Sequence, residues 1–297
     1  MKIGKLILNI LKYRLDKITQ KAFATFKANP DFKHLDNVSY NKDNKFYHQF
    51  DIIYANENRK EVCVIDFHGG AYIYGSRKNN IKFGELFAKE GFDFISMDYT
   101  LVKSNNKMET LFHDCLQGLA YISNHLEELN LKYNRFIITG DSAGGHIALL
   151  MTEILRNKEF AKNFPYNAEK LNVLGVMVNC PVFNFMEIGD GLLSKSGKKR
   201  MLGNNYHDMQ VRKLLDPKSH IDCIDVPIML TTSKYDFIRK ESLQAYELLK
   251  DRLDFKYIDI NSNNKKVAHV HNLVYPELEE SIYVNNEMIK FANSVIK

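Results

Sequence analysis

An aliphatic hydroxyl attacks a carbonyl at neutral pH only when a base takes its proton, a carboxylate orients that base, and N–H donors receive the developing oxyanion. Ser142 stands in Gly140-Asp141-Ser142-Ala143-Gly144-Gly145, a Gly-x-Ser-x-Gly segment. Before it lie Phe136 to Thr139, β-branched and aromatic residues that favour a buried strand. After it come Ile147 to Met151, Ile154 and Leu155, an apolar set suited to a buried helix. A strand that turns at once into a helix leaves Ser142 on a sharp elbow. Glycines flank it because a Cβ there would meet the neighbouring strand and helix. At the amino end of the helix, free N–H groups and the positive end of the helix dipole are at hand for an oxyanion. Without such flanks the same five residues make an ordinary tight turn.

The partners of a serine nucleophile belong at the carboxyl ends of other strands. Pro227 to Thr232 reads as a strand, and Asp236 lies just beyond it, before a helix that it could also cap. Asp222 and Asp225 precede that strand and fall at its opposite end; Asp141 points to another side of the elbow, and Asp114 sits in mid-helix. After the strand Phe255 to Ile260, a polar loop leads to Lys266-Val267-Ala268-His269-Val270-His271-Asn272, where His269 and His271 both qualify by position. The order serine, acid, histidine is that of α/β-hydrolases. An early strand, Glu61 to Phe67, runs into His68-Gly69-Gly70-Ala71. This glycine-rich loop can turn its N–H groups inward and, with the Ala143 amide, form an oxyanion hole. Tyr72 and Tyr74 follow as candidate pocket residues, with core packing as their other use.

Four segments together resemble the hormone-sensitive-lipase-like branch of the α/β-hydrolases, serine esterases with a His-Gly-Gly-Gly loop. They are His68-Gly69-Gly70-Ala71, Gly140 to Gly145, Tyr235-Asp236-Phe237 and Ala268-His269-Val270-His271. The resemblance implies an esterase of short to medium acyl chains that works through an acyl-enzyme without metal or organic cofactor. By its pattern His269 is the base and His271 replaces an aromatic. The oxyanion donors fall on Gly70, Ala71 and Ala143, with Gly69 supporting the loop. Two features depart from the family: Ala71 replaces a third glycine, and the family's Asp-Tyr-Arg-Leu-Ala-Pro segment is here Asp98-Tyr99-Thr100-Leu101-Val102-Lys103.

The elements that must position these groups alternate between strand and helix, which implies a doubly wound, mostly parallel sheet covered on both faces. Strands are expected at Phe46 to Tyr54, Glu61 to Phe67, Phe92 to Tyr99, around Phe136, at Val173 to Val178, Pro227 to Thr232 and Phe255 to Ile260. Helices are expected at Ile81 to Glu90, Thr110 to Leu129, after Ser142, at Glu241 to Lys250 and at Glu279 to Ile296. A single domain over residues 1–297 fits, with a small helical cap from about 1–35 and 183–225, since the second stretch is too long for an ordinary connector. Residues 3 to about 28 read as an amphipathic helix, a cap over the site or, alternatively, a membrane-surface element.

With 297 residues, 45% hydrophobic and 26% charged, the chain can bury one large core. Its net charge of +5 comes from scattered lysines without a basic stripe, so nucleic-acid binding is not expected. Cys63, Cys115, Cys180 and Cys223 form no Cys-x-x-Cys pair, so a zinc or redox motif is not expected, and Cys63 and Cys180 read as inert core residues. Few cysteines and no secretion signal suggest a cytoplasmic protein. A membrane-associated lipase and a non-catalytic ligand-binding module are the alternative functions. Pairing into a homodimer through the last helix or an edge strand is compatible with the fold.

Overall fold

The computed structural model describes residues 27–56, 58–103, 106–164, 168, 170–185, 199 and 201–297. Within them the β-branched and aromatic runs form one eight-stranded sheet. Its strands are β1 (Lys33–Ser39), β2 (Gln49–Tyr54), β3 (Cys63–Phe67), β4 (Asp93–Met97), β5 (Arg135–Asp141), β6 (Asn172–Asn179), β7 (Ile228–Ser233) and β8 (Phe255–Ile260). The spatial order is β1-β2-β4-β3-β5-β6-β7-β8. β2 pairs antiparallel with β1 and β4, and every later pair is parallel. Parallel neighbours need crossovers, which helices supply. These are α1 (Ile81–Lys89), α2 (Met108–Asn124), α3 (Ala143–Arg156) and α4 (Arg239–Leu249), with α5 (Glu279–Val295) closing the chain.

Strand side chains alternate between two apolar layers. Cys63, Ile65 and Phe67 of β3 and Phe136 and Ile138 of β5 pack with residues of α2, α3 and α4. Val64, Ile137, Met177 and Met229 face the other way, towards Phe87 of α1 and Met288 of α5. Each large aliphatic side chain buried this way contributes about 1.5–3 kcal/mol. That holds the carboxyl ends of the central strands as one rigid rim.

The structure departs from the sequence reading in three places. β1 had no counterpart there and begins inside the stretch assigned to a cap. Its side chains are mostly exposed or half-buried, so no apolar alternation marks it. Backbone pairing with β2 holds it, through an irregularity between Leu35 and Val38 where Asn37 takes a left-handed φ of 59°. The strand expected from Phe46 begins at Gln49, because Phe46–His48 is a 3-10 turn. That turn brings the buried His48 ring to Asp43 (2.8 Å) and Asp114 (3.1 Å). The helix expected to reach Leu129 ends at Asn124, and Leu129 and Leu131 enter the core through a turn at Asn130 (φ 53°).

The helix expected from residue 3 to about 28 lies almost wholly outside the described residues. Within 183–225 the described part contains short helical segments at Gly203–His207, Met209–Leu214, Pro217–His220 and Ile221–Cys223.

Candidate active site

Sheet register sets the site. Phe67, Gly140, Val178 and Leu230 stand in one row across β3, β5, β6 and β7. The residues that follow, His68, Ser142, Cys180 and the extension of β7, therefore emerge along one rim. Beyond the sheet an isolated parallel bridge pairs Tyr235 with Ala268, which sets Asp236 beside His269.

Ser142 has φ 54° and ψ −118°, a conformation that a side-chain-bearing residue adopts only when its surroundings enforce it. Its N–H donates to Asn179 O (2.9 Å) and its carbonyl accepts from Val182 N (3.1 Å). A Cβ on Gly144 would collide with the carbonyl oxygen of Phe67, so the elbow packs this tightly only with glycine there. His269 joins the two remaining groups: Nε2 lies 2.8 Å from Ser142 Oγ and Nδ1 lies 2.7 Å from Asp236 Oδ1. Burial alone would push the Asp236 carboxyl up. The His269 charge and hydrogen bond, the Ile238 N–H and the Thr232 hydroxyl outweigh that and hold it below the usual carboxylate range. An ionised carboxylate only accepts, so Nδ1 carries the ring proton and Nε2 presents its lone pair to the Ser142 hydroxyl.

His271 is not part of this chain of contacts. Val270 takes a left-handed φ of 49° and turns the backbone between the two histidines. The buried His271 ring meets Ser281 Oγ at 2.9 Å, and burial pushes its pKa down to about 4.

The loop after β3 bends through Gly70 (φ 126°), Ala71 (φ 49°) and Tyr72 (φ 66°). Ala71 thus holds a left-handed conformation that costs a glycine nothing. The Gly69 N–H, expected near the oxyanion hole, is taken by Asp141 Oδ1 at 2.9 Å. Gly69 therefore braces the loop rather than donating to a ligand. Gly70 and Ala71 N–H make no hydrogen bond among the described residues, and Ala143, the first residue of α3, has no carbonyl one turn back to bond.

Asp141 is itself braced by Asn80 Nδ2, which reaches Asp141 Oδ1 (3.0 Å) and Asp66 Oδ2 (2.9 Å). Burial, and then the Asp141 charge, push the Asp66 carboxyl up to about 7. His68 Nδ1 lies 2.7 Å from Gly69 O, with the Tyr99 ring stacked on the imidazole. Asp98, which opens the segment lacking the family's arginine, is paired with the buried guanidinium of Arg77.

A cavity of about 400 Å³ opens over Ser142, Gly70 and His269, walled by the aromatic rings of Tyr74, Phe237 and Tyr275 and edged by Lys265 and Lys266. Tyr74, a candidate pocket residue from the sequence, is one of these walls. Tyr72 does not line this cavity. It is buried, its hydroxyl lies 2.7 Å from His146 Nδ1, and its ring meets Phe185 edge-on. His146 Nε2 must donate to Leu215 O (2.7 Å), so Nδ1 is the acceptor and Tyr72 ties the loop after β3 to α3 and the 183–225 segment.

Three contributors escaped sequence reading. Thr232 looks like any β-branched strand residue, yet its hydroxyl donates to Asp236 Oδ2 (2.9 Å). Asn80 precedes α1 with no motif around it. Cys180 is buried as expected but sits one residue past β6, with its sulfur beside the acid. Among the described residues, Cys180, Asp236 and His269 place three possible metal-ligating atoms within 4.8 Å of one another.

A family model described as BD-FAE matches residues 50–249. A putative α/β-hydrolase, R526 of Acanthamoeba polyphaga mimivirus, is 25% identical over 203 residues, which cover 66% of this chain and 57% of that protein. Lipase 2 of Moraxella sp. (strain TA144) is 30% identical over 102 residues, covering 33% of this chain and 23% of the lipase. An acetyl esterase of Salmonella paratyphi B is 26% identical over 107 residues, covering 36% of this chain and 33% of the esterase. The chain thus spans between about a quarter and just over half of these relatives. Esterase B from Lactobacillus rhamnosis, solved with a tributyrin phosphonate inhibitor, superposes with a TM-score of 0.86 at 20% identity, covering 100% of this chain and 96% of that one. A truncated carbohydrate esterase from gut microbiota gives 0.71 at 16% identity over 92% of this chain and 100% of the other. These two likenesses establish the shared fold.

Proposed function

We propose, from the premise that this chain belongs to the BD-FAE family of hormone-sensitive-lipase-like α/β-hydrolases, that it is a serine carboxylic-ester hydrolase acting on short to medium acyl esters. The observation that carries the reading is the single imidazole of His269 spanning the Ser142 hydroxyl and the Asp236 carboxylate. Ser142 attacks the ester carbonyl while His269 Nε2 takes its proton, and Asp236 stabilises the imidazolium that forms. The N–H groups of Gly70, Ala71 and Ala143 receive the oxyanion, each worth about 2.7–4 kcal/mol by the usual cost of losing one donor. His269 then protonates the leaving alcohol, and water activated by the same ring releases the acid. No step calls on a metal or an organic cofactor.

The acetyl esterase among the relatives, the tributyrin phosphonate held by the similar esterase and the modest cavity support short acyl chains. A fluorophosphonate probe labels Ser142 and nothing else, and Ser142→Ala abolishes both labelling and nitrophenyl butyrate turnover while the fold persists. Turnover surviving in that variant removes the serine from its role. Rates measured from acetate upward fall beyond short chains; a rise with long-chain emulsions points instead to a lipase. Among the described residues no helix is long and apolar enough to cross a membrane.

Four unpaired cysteines support a cytoplasmic setting, which cell fractionation tests. Ile282 and Tyr283 on α5, 47% and 51% exposed, and the place of β8 at the end of the strand order support a homodimer, which sedimentation tests.

A further inference from the structure

We propose that Cys180, Asp236 and His269 form a regulatory metal site: a thiophilic divalent cation such as Zn²⁺ or Cd²⁺ binds their side chains and switches hydrolysis off. The proposal rests on the catalytic reading of His269 and Asp236. It adds a ligand, Cys180, that the hydrolytic cycle does not use.

The Cys180 sulfur is held from several sides. The residue takes a left-handed φ of 49°, unusual for a side chain with a Cβ, and its N–H donates to Thr231 O at 2.7 Å. The N–H of Val270, the residue after His269, donates to its sulfur at 3.4 Å. Sulfur, carboxylate oxygen and ring nitrogen then lie within 4.8 Å of one another. Small side-chain adjustments bring such a trio to the bonds of about 2.0–2.3 Å that Zn²⁺ makes in a tetrahedral site.

Charge favours the same ion. A thiolate, a carboxylate and a neutral imidazole sum to minus two and neutralise a divalent cation, so the complex suits a dry site better than an unpaired charge does. Cys180 is wholly buried and Asp236 nearly so, while the His269 side chain lines the open cavity and offers the way in. A thiol gives up its proton to become a ligand, so binding of the ion releases a proton and affinity rises with pH.

Inhibition follows from the tautomer. Metal on Nδ1 displaces the Asp236 contact and leaves the single ring proton on Nε2. That nitrogen then donates to Ser142 Oγ and has no lone pair with which to accept its proton. Mg²⁺ and Ca²⁺ prefer oxygen ligands and leave the enzyme active.

The test uses chelator-treated full-length protein in a non-coordinating buffer. Cd²⁺ titration is followed by the ultraviolet thiolate-to-cadmium charge-transfer band, and Zn²⁺ titration by ester hydrolysis. Wild type and Ser142→Ala, which keeps all three ligands, both show the band. In Cys180→Ser and Cys180→Ala the band is lost, and the Zn²⁺ concentration for half inhibition rises about tenfold or more, at least the loss seen when a ligand's own support is removed. Equal Zn²⁺ inhibition of wild type and both variants overturns the proposal, because the ion then acts without the sulfur. Absence of the band in wild type overturns it as well. Failure of metal-free wild type to hydrolyse any ester strikes the hydrolase reading instead, and the Cd²⁺ band still reports the site.

Discussion

At the scale of single residues, the site depends on who donates to whom. Asp236 accepts from two donors within four residues of it, the Thr232 hydroxyl and the Ile238 N–H, and from the distant His269 ring. Asp236→Asn leaves the shape intact but no longer requires the ring proton on Nδ1. We expect kcat to fall about ten-thousandfold, with unchanged circular dichroism, by analogy with the loss seen when a triad acid becomes an amide elsewhere. Thr232→Val removes one donor from the buried carboxylate. Urea unfolding is expected to show a loss of roughly 1–3 kcal/mol.

At the scale of elements, the loop after β3 is fastened to its neighbours at several points, among them the Tyr99 hydroxyl on His68 O and the Val102 N–H on Tyr72 O. Asp141 holds it through the Gly69 N–H, and Tyr72 holds it through His146. Asp141→Ala frees Gly69, so the loop can wander; kcat for a nitrophenyl ester is expected to drop by up to about a hundredfold, the lower end of what loss of an oxyanion donor costs. His146 is wholly buried, and burial pushes its pKa down to about 4 from an ordinary 6.5. Between those values the unfolded chain takes up a proton that the folded ring refuses, so stability falls as the pH drops from about 6.5 to 4. His146→Gln lacks that slope. Its melting temperature minus that of wild type should grow more favourable as the pH falls through this window; a flat difference would mean that the folded ring accepts the proton freely.

At the scale of the whole molecule, one sheet carries an acid pair as well as an acid–base pair. Asp66 and Asp141 share Asn80 at the floor of the cavity, where Asp66 is wholly buried while Asn80 and Asp141 belong to the cavity lining. The Asp66 pKa is raised to about 7, against an ordinary 3.8, so the folded state binds more protons than the unfolded state between those values. Its effect on stability therefore runs opposite to that of His146, falling as the pH rises through about 4 to 7. Asp66→Asn removes that penalty, and its melting temperature relative to wild type should climb across the same range, read by calorimetry at several pH values. The sheet tolerates such a pair because two apolar layers and the paired central strands fix its neighbours independently of their charge.

Much of this was legible in the residues alone. The run from Phe136 to Leu155 names a strand, an elbow and a helix, because burial and glycine packing constrain types and spacing locally. The alternation of strands and helices gives the layered sheet for the same reason. The choice between His269 and His271 was not open to spacing, since the two lie two residues apart; a left-handed Val270 and the bridge between Tyr235 and Ala268 decide it. Edge strand β1 left no trace because backbone pairing, not side-chain pattern, holds it. Tyr72, Asn80 and Cys180 gain their roles from neighbours dozens of residues away, and Thr232 from an acid four residues on whose place a distant histidine fixes. Local physics writes periodicity and turn chemistry into a sequence, whereas a contact between distant residues exists only once the sheet has set its register.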